Sequence, residues 1–185
     1  MTRTAVVTGA AQGVGLATAT VLANAGYAVV LTDIQNMDEQ LARLRAQRLQ
    51  VRGICGDVAD EAFAQRLAAT LQAEGASVDV LVNNAGISMI VPAEATTVAQ
   101  WRQVMDVNLL GPFLMCRHLG AMMLARRSGS IVNVASVAGL GGVSHRSAYN
   151  TSKHGLIGLT RTLAAEWGAR GVRVNAVCPG WIKTD

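Results

Sequence analysis

Six short apolar runs, each rich in β-branched residues, do most to narrow the folds open to this chain. They fall at residues 4–8, 28–32, 51–55, 78–82, 130–134 and 172–177. Helical patterns separate them, at residues 14–25, 38–48, 60–74, 97–127 and 148–170. An interruption is expected in the fourth near Gly111-Pro112, because proline cannot donate to a helix ladder. Gly26, Gly75 and Gly171 stand where three of the other patterns stop. Strands apolar on both faces imply a parallel sheet covered on both sides. The fold class read from this alternation is α/β: a doubly wound parallel sheet in three layers, with six strands present. Ligands of such a sheet bind outside the carboxyl ends of its strands, where the strand order reverses.

Residues 1–185 are expected to form one domain. The net charge is +4, and the densest basic cluster, Arg43, Arg45 and Arg48, has helical spacing. It reads as a solvated helix face, and no nucleic-acid partner is expected. No apolar run reaches the ~18 residues needed to span a membrane, so none is expected there either. Cys55, Cys116 and Cys178 lie far apart, without metal-ligand spacing. They read as reduced, buried thiols of a cytoplasmic protein, and no metal site is expected. The chain starts at once on a strand pattern rather than a signal peptide.

The first strand leads into Thr8-Gly9-x-x-x-Gly13-x-Gly15 and then a helix. Glycines let the backbone approach a pyrophosphate, and the helix N-terminus favours its charge. Asp33, at the end of the second strand, can accept both hydroxyls of an adenosine ribose and would repel a 2′-phosphate. It can equally cap the next turn. No Arg or Lys occurs in Gly9–Gly15 or beside Asp33, so NAD is expected over NADP.

Tyr149 and Lys153 stand four apart at the head of the last helix, on one face. A phenol so placed beside an ammonium can serve as a proton-transfer base near neutral pH. Ordinarily near pKa 10, it must for this become about a thousandfold more acidic, roughly 4 kcal/mol. An ammonium ~4 Å away at an effective dielectric of ~20 contributes about that much. Ser136, after the fifth strand, offers a hydroxyl to orient a substrate oxygen, or only a local turn. Asn108 lies inside a helical pattern, where Asn is mildly unfavourable; the residues alone leave it either functional or tolerated.

The chain resembles the short-chain dehydrogenase/reductase family over its whole length. The resemblance rests on the glycine turn, Asp57-Val58, Asn83-Asn84-Ala85-Gly86, the set Asn108, Ser136, Tyr149 and Lys153, and Pro179-Gly180-x-x-x-Thr184. It implies a Rossmann-type NAD(P) site contacted by Gly9, Gln12, Gly13, Val14, Gly15, Asp33, Asp57, Val58, Asn84, Ala85, Gly86, Tyr149, Lys153, Pro179, Gly180, Ile182 and Thr184. Asp57 would meet the adenine amine, Lys153 the nicotinamide ribose, and Asn108 a water linking Lys153 to solvent. The activity implied is hydride transfer between NAD(H) and a secondary alcohol or ketone, with Tyr149 as general acid/base. Two alternatives stand beside it: reduction of acyl-carrier-linked 3-oxo groups, usually with NADPH, which Gln12 disfavours, and a non-catalytic NAD-binding sensor or scaffold. The family commonly pairs subunits through the helices at 97–127 and 148–170, so a homodimer or homotetramer is expected. Its members continue past the Pro-Gly motif into a substrate-covering loop, a helix and a seventh strand. The chain is therefore expected to be C-terminally incomplete, with its particular substrate unreadable.

Overall fold

The structure is a computed structural model and describes residues 3–182. Strands β1 (Thr4–Thr8), β2 (Ala28–Asp33), β3 (Val51–Cys55), β4 (Val78–Asn83), β5 (Gly129–Val134) and β6 (Val172–Val177) form one sheet in the order β3-β2-β1-β4-β5-β6. Every pairing is parallel. The order reverses between β1 and β4, so a crevice opens at their carboxyl ends. Helices α1 (Gly13–Asn24) and α2 (Asp38–Ala46) cover one face of the sheet. Helices α3 (Glu61–Ala73), α4 (Val98–Met105), α5 (Gly111–Arg126) and α6 (Ser147–Trp167) lie on the other side. Gly26, Gly75 and Gly171 all adopt positive φ, as helix stops should.

Three apolar clusters form among the described residues, a small one of Ala135, Leu156 and Ile157 and two larger ones. One joins Val6, Leu81 and Ile131 to Leu67, Leu119 and Trp167. The other packs Val7 and Leu31 against Ala19, Leu41 and Leu44. Between β4, β5 and α6 runs a buried polar chain: Asn83 Nδ2 donates to Asn133 Oδ1 (2.8 Å), and Asn133 Nδ2 to Thr160 Oγ1 (2.9 Å). Directional bonds in a dry interior fix register more sharply than apolar contact does. This chain sets α6, and hence Tyr149 and Lys153, relative to the sheet.

Four expectations need correction. The helix interruption is a π-helical turn, Asp106–Leu110, lying just before Gly111-Pro112. Pro112 has no N–H for the Asn108 carbonyl, and the chain widens there instead of breaking. The sheet is not covered evenly: β6 alternates, with Val172 and Val174 buried and Arg173 and Asn175 exposed, because among the described residues only α1 and α2 pack on the second face. Cys55 is exposed, since β3 is an edge strand whose second half alternates outward; Cys116 is buried and Cys178 intermediate. Finally, Val98–Arg126 is long and apolar enough by length and composition to cross a membrane, although half of its most apolar window is buried here. α5 packs on α3 and β4 as a core helix.

Candidate active site

The glycine turn begins where β1 ends. Gly9 and Gly13 take positive φ, +63° and +55°, conformations open to glycine at little cost. Gln12 precedes α1 without a side-chain cap, and the helix has no acidic residue in its first turn. Its leading N–H groups thus point at open space with no internal anion, as a phosphate site requires. Gly15 is buried for a different reason. A Cβ there would overlap the Gly9 carbonyl oxygen and stand 2.5 Å from Asn84 Nδ2. Gly15→Ala is therefore expected to destabilise the fold by about 1–3 kcal/mol and to weaken dinucleotide binding, read by thermal unfolding and titration.

Across the switch point, Thr8 and Asn84 stitch β1 to β4. Thr8 Oγ1 accepts from the N–H groups of Asn84 and Ala85, both at 3.0 Å. Asn84 Nδ2 donates to the carbonyls of Thr8 and Gly9, again at 3.0 Å. Asp33 is buried, and each carboxylate oxygen accepts one backbone N–H at 3.0 Å: Oδ2 from Ala11 and Oδ1 from Gln35. It does cap the next turn, yet each oxygen keeps a lone pair for a hydroxyl. Asp57 similarly accepts from Ala59 N at 2.9 Å.

Two adjoining cavities lie over these strand ends. The first, about 760 Å³, is lined by Gly9, Gln12, Gly13, Val14, Asp33, Asp57, Val58, Asn84, Ala85 and Gly86. The second, about 340 Å³, shares Val14, Asn84, Gly86 and Ile87 and adds Ser136, Tyr149, Lys153, Pro179, Gly180 and Ile182. A single trough thus runs from Asp33 to Tyr149, an elongated shape suited to a dinucleotide. Nearly all the residues nominated from sequence line it. Gly15 and Asn108 do not; they sit behind it. Thr184 lies outside the described residues.

Ser136 Oγ accepts from Ala138 N (3.1 Å), a local turn that still leaves the hydroxyl proton free to donate. Asn108, fully buried in the π turn, uses its carboxamide on protein groups. Its Oδ1 accepts from Ile87 N (2.8 Å), and Nδ2 donates to Ile87 O (2.9 Å) and Ser152 Oγ (3.1 Å). Ser152 in turn donates to the Tyr149 carbonyl at 2.7 Å. Asn108 therefore ties the segment after β4 to the first turn of α6. Lys153 is buried; its Nζ donates to Val134 O (2.7 Å) and lies 5.6 Å from the centroid of the Tyr149 ring. Burial lowers the Lys153 pKa from 10.5 to about 8, with Cys178 acting weakly in the opposite direction.

Sequence reasoning missed several lining residues. Arg102 of α4 lines the first cavity, although no basic residue neighbours it in the glycine turn. Ser88, Val143, Arg146 and Trp181 line the second. Arg146 stands three residues before Tyr149, and that proximity was the available signal. His145, by contrast, is an exposed residue at positive φ whose backbone carbonyl accepts from Val91 N. Among the described residues no group of three or more His, Cys, Asp or Glu side chains converges as a metal site would.

The family model for short chain dehydrogenases matches residues 3–185. The chain is 40% identical over 185 residues to D-threitol dehydrogenase of Mycolicibacterium smegmatis, covering 99% of this chain and 71% of that protein. Two solved structures superpose closely. An actinorhodin polyketide ketoreductase variant with NADPH gives a TM-score of 0.95 at 36% identity, covering 99% of this chain and 73% of that one. A 4-hydroxyisoleucine dehydrogenase with NADH gives 0.88 at 33%, covering 99% and 77%. With its strand order, its glycine turn and the cavity around Ser136, Tyr149 and Lys153, this chain belongs to the short chain dehydrogenase family, oxidoreductases that bind a nicotinamide cofactor and act on alcohols and ketones.

Proposed function

We propose that the chain interconverts a secondary alcohol and its ketone with NAD(H), Tyr149 acting as general acid/base. The observation that carries this reading is the convergence of Ser136, Tyr149 and Lys153 on one small cavity continuous with the glycine-turn trough. The trough's shape, the uncapped start of α1 and the free lone pairs of Asp33 all fit a dinucleotide. When bound, its nicotinamide supplies the hydride acceptor or donor. The chain's own residues handle the proton. Ser136 donates a hydrogen bond that orients the substrate oxygen. Tyr149 takes the hydroxyl proton, or returns it to the ketone oxygen. The Lys153 ammonium stabilises the phenolate by its charge, while Asn108 holds the start of α6 in place.

Asp33 favours NAD because a carboxylate at the end of β2 repels a 2′-phosphate. Arg102 comes from the wall that also carries Gln103 and Asp106, rather than from the turn beside Asp33. Asp33→Ala is expected to weaken NAD binding more than NADP binding in parallel titrations; equal losses would remove the assignment. The whole reading is tested by following reduced-nicotinamide absorbance with NAD, then NADP, across a panel of polyols and simple secondary alcohols. Turnover with NAD but little with NADP supports it; cofactor binding without turnover of any alcohol would favour a sensor. Val98, Leu110 and Phe113 are exposed along α4, the π turn and α5. We also propose this face as a subunit contact, and a monomer by sedimentation would refute that.

A further inference from the structure

We propose that Arg146 forms an anion-binding subsite in the substrate pocket, so that the preferred alcohol or ketone carries a carboxylate or phosphate a few bonds from the reacting carbon. This rests on the redox reading above and adds a substrate class to it. Among the described residues, the charged ones lining the small cavity are Lys153 and Arg146, and none that lines it is acidic. Lys153 is committed to Val134 O and the Tyr149 side. Arg146 is half-buried and forms no ion pair among the described residues. Its Nη1 donates to Ser88 Oγ at 3.0 Å, which leaves most of its five N–H donors without an acceptor among the described residues.

The guanidinium is also held in place. Its Cζ lies 5.0 Å from the Trp181 ring centroid and 5.9 Å from that of Tyr149. The backbone beneath it is fixed: Arg146 precedes α6, its carbonyl accepts from Asn150 N (2.8 Å), and it bridges to Val91. α6 has no side-chain cap and no acid in its first turn, so the helix start adds to the positive potential. The guanidinium lies within cation–π reach of both rings, Trp181 itself being exposed, and its planar fork matches a carboxylate or phosphate. It stands beside the phenol that would exchange the substrate proton. A substrate anion close to the carbinol carbon can therefore engage Arg146 while its hydroxyl meets Tyr149 and Ser136.

The alternative is that Arg146 merely clamps the Ser88 loop. Arg146→Gln separates the two roles, because an amide can still donate to Ser88 Oγ but carries no charge. The substrates are matched pairs: β-hydroxybutyrate against its methyl ester, and glycerol phosphate against glycerol. The wild-type protein should prefer the charged member of at least one pair in kcat/KM, and the pair that responds identifies carboxylate or phosphate. Arg146→Gln and Arg146→Ala should each lower that charged-to-neutral ratio by about 10- to 100-fold, chiefly through KM, and Arg146→Lys should restore part of it. A ratio unchanged in Arg146→Gln, or a wild-type preference for the neutral member of both pairs, overturns the proposal and leaves the redox reading standing. If the wild type turns over none of the four, the redox reading still rests on the alcohol panel above, and succinate and inorganic phosphate titrations followed by tryptophan fluorescence decide the subsite. Binding that disappears in Arg146→Gln sustains it; absent or unchanged binding refutes it.

Discussion

Replacing Tyr149 by phenylalanine is expected to cut kcat by about a thousandfold, the scale of a lost general acid/base, and to leave dinucleotide affinity nearly unchanged. The substitution removes one oxygen. The ring survives, with Lys153 Nζ at 5.6 Å and Arg146 Cζ at 5.9 Å from its centroid. The tie from Ser152 is made to the Tyr149 backbone carbonyl, which phenylalanine keeps. Among the described residues no side-chain hydrogen bond of Tyr149 is broken, so no buried partner there is orphaned and the fold should keep its stability. What disappears is the atom that exchanges the proton; Ser136 can still orient the substrate. Steady-state kinetics and fluorescence titration of the cofactor read the two effects separately. A mutant that retained more than a few per cent of the wild-type rate would remove Tyr149 from its role.

Much of this site was legible because its signals are local. The glycine turn, the acids closing β2 and following β3, and the Tyr-x-x-x-Lys spacing each sit where one strand or one helix begins or ends. A parallel sheet gathers all those ends along one edge. What the sequence hid depends on contacts between distant segments. The role of Asn108 as a clamp needs Ile87 and Ser152, which come from two other stretches. The π turn around it follows from a missing N–H at Pro112, but its geometry is settled by tertiary packing. Arg102 enters the cofactor cavity from α4, and Trp181 reaches Arg146 only because the chain after β6 folds back beside β5, with Val137 N donating to Pro179 O at 3.0 Å. Cys55 was misjudged because apolar neighbours in sequence do not reveal an edge strand.

Lys153→Met is expected to abolish measurable turnover and, at neutral pH, to make the cofactor-free protein more stable. Burial holds the lysine at about 8, below its ordinary value of 10.5, so the folded state binds this proton less tightly than the unfolded chain does. Below about pH 8 both states carry the charge, and the fold bears the full cost of burying it. Between there and 10.5 only the unfolded chain keeps the proton, so wild-type stability rises with pH on this account. The full difference corresponds to about 3 kcal/mol. Losing the bond to Val134 O offsets about 1 kcal/mol of it. Methionine fills most of the same volume, so a gain of about 1–3 kcal/mol at pH 7 should shrink toward zero or reverse above pH 10. Denaturant unfolding at the two pH values measures this. Activity should move the opposite way, because the cation worth roughly 4 kcal/mol to a nearby phenolate is gone. Destabilisation at pH 7 would show that Lys153 holds the fold together. A gain in stability joined to loss of turnover would show that the chain keeps a destabilising buried charge because the chemistry at Tyr149 requires it.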